Sequence, residues 1–448
     1  MLAGCAGIHN EPINIAVTDV NAAATVGRSD PAYADDLLVG LSFSGGGTRA
    51  AAYSFGVLTE IDRTRVRSGQ GTVSLLDHLD FISGVSGGSV TAAYYGLKKR
   101  AAFEDYREMF LLRDAEESIN TGLNLLSISR ALAGGINDST QFPRWLDDNL
   151  FHGATLGEFR ETRRPRIWIN ASDIYNRTPF VFGATAFRAI CSDLNSYPIS
   201  NAVAASAAVP VVFAPVVIKT FPQECHSKLP EWVERARRNP SAPPMLKAFA
   251  DGLARYHNGE IPYIKLLDGG LVDNFGISGF TIARLSSETP YGPLTPRQAV
   301  ALRRLLFLVV DAGRGPGGDW VKTVEGPRGA DLVMAAADTA VDAGVRAGFT
   351  ALEGTNAEWQ AALLRWRCGL SAAQRRELGA PANWNCRDLK FFIGRVNFDQ
   401  LGGERARQLN AVPTRFKLPA ADVDLLIAAG ADSLRSNDKF QAFLASLR

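Results

Sequence analysis

From Gly45 to Gly84 the chain advances 39 positions, and at both places it shows one local pattern: an apolar run, a glycine-rich turn and a helical stretch. Leu37-Leu38-Val39-Gly40-Leu41-Ser42-Phe43 reads as a buried strand, and Ser44-Gly45-Gly46-Gly47 reads as the turn. Thr48 to Arg63 then places Ala51, Phe55, Leu58 and Ile61 at helical spacing. The second unit runs from Phe81-Ile82-Ser83 through Gly84-Val85-Ser86-Gly87-Gly88 into a helix over Ser89 to Lys99. Repeated strand, turn and helix predict a mostly parallel central sheet with helices on its faces, an α/β fold.

Further strands are expected at Arg166 to Ala171, Pro179 to Phe182, Val211 to Ile218, Tyr263 to Leu267, Leu305 to Val310 and Phe391 to Val396. Helical stretches fall between or after them, at Asn201 to Ala208, Ala330 to Thr350 and Ala421 to Ala429. No internal repeat or composition break marks a second domain, so residues 35–448 are expected to form one catalytic domain with a C-terminal helical extension. Phe221 to Ile261, with five prolines, interrupts the strand rhythm as an irregular insertion, either a lid over the site or a surface loop with no role.

Bulk properties remove some classes of function. With 46% hydrophobic and 21% charged residues the chain is a globular protein, and no run approaches the ~18 apolar residues of a membrane span. A formal net charge of +2, with Lys and Arg dispersed, argues against nucleic acid as a partner.

Met1-Leu2-Ala3-Gly4-Cys5 resembles the lipobox of bacterial lipoprotein precursors, in which the cysteine is acylated. Residues 1–34, polar and without periodicity, then read as a disordered leader or tether after a truncated signal peptide, and Cys5 as the lipidation site. A chance match in small residues is the competing explanation. This reading expects a membrane-anchored lipoprotein of the bacterial cell envelope, facing the periplasm. Cys191, Cys225, Cys368 and Cys386 form an even set, as an oxidising compartment favours, and pairing of sequence neighbours is expected. A Cys368 to Cys386 bridge would stabilise by about 3 kcal/mol on the chain-entropy account. Four buried thiols are the alternative. No Cys/His spacing indicates zinc, and neither a metal nor another cofactor is expected.

Ser86 lies in a Gly-x-Ser-x-Gly turn between strand and helix, where Gly84 and Gly88 permit a sharp bend that presents the hydroxyl. Successive N–H groups of Gly45, Gly46 and Gly47 open a helix and suit a tetrahedral oxyanion. The cation of Arg49 opposes the helix dipole there, which points to a role toward an anion or in orienting the loop. Gly45 to Ala50 also satisfies the weak dinucleotide pattern G-x-G-x-x-A, but the acidic residue expected about 20 positions on falls within the helix, at Glu60 or Asp62. A serine needs a base, and no histidine follows His257. His226 and His257 remain for a histidine-dependent esterase, whereas Leu266-Leu267-Asp268-Gly269-Gly270 delivers a carboxylate into a glycine turn.

In this order, Gly45-Gly46-Gly47-x-Arg49, Gly84-x-Ser86-x-Gly88 and Asp268-Gly269-Gly270 resemble the oxyanion loop, nucleophile elbow and catalytic aspartate of the patatin-like phospholipases. Ala205-Ser206-Ala207-Ala208-Val209-Pro210 resembles the family's segment between serine and aspartate, and Pro413 to Leu434 resembles some bacterial members. Ala50 departs from the glycine the family often has after the basic residue. The resemblance implies a three-layer α/β/α sandwich and a Ser86–Asp268 dyad that hydrolyses acyl esters of phospholipids or lysophospholipids at a membrane surface, without metal. It implies that Arg49 orients the oxyanion loop or meets lipid phosphate. A catalytically silent lipid-binding lipoprotein on the same fold is the reading from another class.

Overall fold

The computed structural model describes residues 10–17, 36–68, 71–119, 135–161, 164–315 and 318–447. Cys5 and most of the expected leader lie outside the described residues.

Strand β1 (Leu37–Phe43) leads through the first glycine turn into helix α1 (Gly47–Arg63). A hairpin of β2 (Arg65–Ser68) and β3 (Gly71–Ser74) follows, then β4 (Leu79–Val85) and α2 (Gly87–Lys98). The sheet continues with β5 (Arg166–Asp173) and β6 (Thr178–Phe182), and α3 (Ile199–Ser206) precedes β7 (Val216–Lys219). Helices α4 (Glu231–Arg238) and α5 (Pro244–His257) lead to β8 (Tyr263–Asp268) and β9 (Arg304–Val310). The long α6 (Ala330–Gly369), β10 (Lys390–Val396) and α7 (Ala420–Arg435) complete the elements used below.

The main sheet has the order β10-β9-β1-β4-β5-β8-β7, with β6 paired to β5. Strands β10, β9, β1, β4 and β5 are mutually parallel, while β8 and β6 run antiparallel to β5. Alternation along β9 shows why helices cover both faces. Leu306, Leu308 and Val310 join the core under α1, α2 and α7; Leu305, Phe307 and Val309 join a second core with Phe280, Trp359 and Leu363. This is the three-layer α/β/α arrangement.

Three expectations change. Val211 to Ile218 is a strand only from Val216; Val211 has φ 72°, and Phe213 N–H closes a turn on the Val209 carbonyl. The insertion is helical and built into the body, for α5 buries Phe249, Leu253 and Tyr256 in the main core. Residues 10–17 are docked, not part of a tether. Asn14 bonds both Lys219 backbone groups, the N–H at 2.9 Å and the carbonyl at 2.8 Å, and Asn10 donates to the carbonyls of Ala214 and Pro215. These amides satisfy backbone groups along β7 and the segment before it, which an apolar periodicity does not reveal.

Among the described residues, no helix is long and apolar enough to cross a membrane.

Candidate active site

Sheet register brings the serine and the aspartate together. The last residue of β4, Val85, stands opposite Asn170 of β5, and the last residue of β8, Asp268, stands opposite Ala171. Because β4 is parallel and β8 antiparallel to β5, their carboxyl ends meet at consecutive positions of one strand. Ser86 follows as the N-cap of α2 with φ 50° and ψ −123°, a conformation uncommon for a residue with a Cβ. Gly88 lets the elbow approach the first turn, since a Cβ there would stand 2.6 Å from the Ser44 carbonyl oxygen.

Asp268 is buried, which raises its pKa to about 6, while the Gly270 N–H, 2.8 Å from Oδ1, and the neighbouring Ser86 hydroxyl act in the opposite direction. A carboxylate so placed accepts a proton near neutral pH far better than an exposed aspartate. The Ala205 to Pro210 segment links the two residues. Ser86 N–H donates to Ser206 Oγ at 2.9 Å, and Ser206 Oγ donates to the Asn170 carbonyl at 2.6 Å. Gly269 N–H bonds the Ser206 carbonyl at 3.0 Å, and Asp268 N–H bonds the Ala208 carbonyl at 2.8 Å. Ser206 and Asn170 are thus part of the site, although only the motif around Ser206 is visible in the sequence.

In the first turn, the glycines do not serve alike. Gly45 N–H is spent on Asn274, 3.2 Å from both its carbonyl and its Oδ1, and Thr48 N–H is spent on the Arg415 carbonyl at 2.8 Å. Gly46 and Gly47 have φ 140° and 59°, and no described residue accepts from their N–H groups. Two amides at the start of α1 thus have no acceptor among the described residues, whereas Gly45, expected as a third donor, spends its N–H on anchoring the loop to Asn274. Asn274, unmarked by any sequence pattern, ties this loop to the turn that carries Asp268.

Arg49 is also corrected in one respect. Its side chain is 3% exposed, and it donates to Ala312 O at 2.9 Å, Val412 O at 3.0 Å and Thr414 Oγ1 at 2.8 Å. Burial lowers the guanidinium pKa to about 10, which still leaves it charged at neutral pH. So committed, it orients the loop and does not reach out to a phosphate.

The structure joins Cys191 to Cys225 and Cys368 to Cys386, with Cα atoms 5.2 and 5.0 Å apart. His257 Nδ1 lies 3.4 Å from Cys225 Sγ, and its ring also meets the Ala189 backbone. The histidine-dependent reading finds no support in that placement. Cys191, Cys225 and His257 are the one group among the described residues with clustered metal-ligand atoms, and both sulfurs are spent on each other.

Serine elbow, buried aspartate and glycine loop occupy one sheet end, and the model of the patatin-like phospholipases matches residues 41–281. The chain belongs to the patatin-like phospholipase family. Among solved structures, human GIVD cytosolic phospholipase A2 is similar at 12% identity and a TM-score of 0.45, over 92% of this chain and 62% of that one. VipD from Legionella pneumophila is similar at 12% identity and a TM-score of 0.32, over 92% of this chain and 67% of that one. This patatin-like chain thus spans less than two thirds of the length of the human protein. No curated protein sequence matches it.

Proposed function

We propose that the chain is a serine acyl hydrolase of lipid esters, with phospholipids or lysophospholipids as substrates. The observation that carries this reading is the register that brings the buried Asp268 carboxylate to the same sheet end as the strained Ser86 elbow in a patatin-like domain. Ser86 Oγ attacks the ester carbonyl as its proton passes to Asp268, and the Gly46 and Gly47 N–H groups hold the oxyanion. Collapse of the tetrahedral intermediate returns that proton to the leaving alcohol and leaves an acyl-Ser86. Water, deprotonated by Asp268, then releases the fatty acid. Leu271 and Val272, each 38% exposed just past Asp268, offer apolar surface to an acyl chain.

A fluorophosphonate should add once to the wild type, at Ser86, and not to Ser86→Ala. Both Ser86→Ala and Asp268→Ala should lose hydrolysis of a short-chain nitrophenyl ester; full activity in either refutes the dyad. An unlabelled, inactive wild type would favour the silent lipid-binding protein. Products from a lipid panel, resolved by mass, identify the ester cleaved. A lipid substrate and the Cys5 motif together support an envelope lipoprotein, which intact mass of the protein expressed with its upstream reading frame tests directly.

A further inference from the structure

The two free amides belong to a loop held from far along the chain. Thr48 N–H donates to the Arg415 carbonyl, and a Cβ on Gly47 would stand 2.5 Å from that oxygen, so residue 415 lies directly against the loop. One residue on, Arg49 grips Val412 and Thr414. The same segment is fastened on its other side. Arg415 meets Glu116 through Nη2 at 2.8 Å and Nε at 3.2 Å, and Phe416 N–H donates to Glu116 Oε1 at 2.9 Å. Lys417 pairs with Asp114 at 2.5 Å, while Val412, Phe416 and Leu418 are buried beneath.

We propose that residues 412–417 are a strap that aims the Gly46 and Gly47 amides, with Thr414 and Glu116 as positioning residues for the hydrolysis. This rests on the acyl-hydrolase reading for its catalytic part only. Oxyanion donors act through preorganisation, so a loop of two positive-φ glycines needs outside contacts to keep its aim. Arg49, a cation at the wrong end of a helix dipole, is explained as the post to which the strap is tied. Glu116 is the latch because it holds both the side chain of Arg415 and the backbone of Phe416. Arg415 is 57% exposed and Glu116 15%, so releasing the latch should cost modest global stability and loosen the loop without unfolding the protein.

The test compares the full-length wild type with Thr414→Val, Thr414→Ser and Glu116→Ala by hydrogen–deuterium exchange and by ester kinetics. Thr414→Val and Glu116→Ala should speed exchange in the peptide covering residues 44–50 while leaving the rest of α1 unchanged. Their kcat should fall about 10- to 100-fold with KM nearly constant, and Thr414→Ser should restore both readouts. Unchanged exchange over residues 44–50 in both variants overturns the strap. Faster exchange with wild-type kcat overturns its positioning role. A wild type inert to ester and fluorophosphonate would refute the hydrolase reading, and exchange would still decide whether the strap holds the loop.

Discussion

A Cβ on Gly87 would stand 1.9 Å from the Gly47 carbonyl oxygen, so the nucleophile elbow and the oxyanion loop are in backbone contact. Neither can shift without the other, because the atoms that meet are main chain. Gly87→Ala should therefore separate the serine from the amides that serve it. We expect kcat/KM to fall by at least about 100-fold, with loss of stability of about 1–3 kcal/mol from overpacking. Urea unfolding beside ester kinetics checks both, and an active, fully stable variant would contradict the contact.

The proposed dyad sets a pH limb. As its base, Asp268 must be ionised to take the Ser86 proton, and burial lifts its pKa to about 6. Activity should rise through about pH 6 and level off above it, whereas an exposed aspartate would place the limb near pH ~4. Single-turnover acylation rates between pH 4.5 and 8 would show which is correct.

The same shift carries a stability cost. With a folded pKa of about 6 against an ordinary 3.8, Asp268 binds its proton more tightly in the folded state. Its contribution is fully present below pH 3.8 and is lost as pH rises through about 6. Asp268→Asn, inactive, should be more stable than wild type at pH 7.5, by up to about 3 kcal/mol. That advantage should disappear in acid. Thermal unfolding at the two pH values measures it, and equal melting temperatures at pH 7.5 would refute it.

Ser206 holds the elbow and the aspartate turn without touching substrate. Ser206→Ala removes the acceptor of Ser86 N–H and leaves that amide buried and unpaired, at a cost of about 1–3 kcal/mol. We expect a lower kcat with KM unchanged, and partial rescue in Ser206→Thr. Loss confined to KM would place Ser206 in substrate binding instead.

Much of this architecture is legible in the residues. Apolar runs mark every strand of the main sheet, and glycine turns mark both loops, because buried parallel strands and tight junctions each leave a compositional trace. Donor assignment within the oxyanion loop leaves none. Gly45 is set apart by Asn274, more than two hundred residues away, which accepts its N–H. Arg415 acts on Thr48 through a carbonyl oxygen, a group every residue carries. The hairpin β2–β3 is short and polar, and α6 runs on to Gly369 beyond its expected end at Thr350 because Trp359 and Leu363 bury against the sheet. Tertiary pairing, not local pattern, decides each of these.

Strand β1 lies between β4 and β9, and all seven of its residues register with β9. β9 begins at Arg304, beyond the homologous span that ends at residue 281. A fragment ending at residue 281 would turn the strand behind the glycine loop into an open edge, apolar on both faces and able to recruit another copy. The autonomous folding unit of this chain is thus longer than its recognisable ancestry. The matched span at the front of the sequence depends on strand β9 at the back to cover that edge of β1.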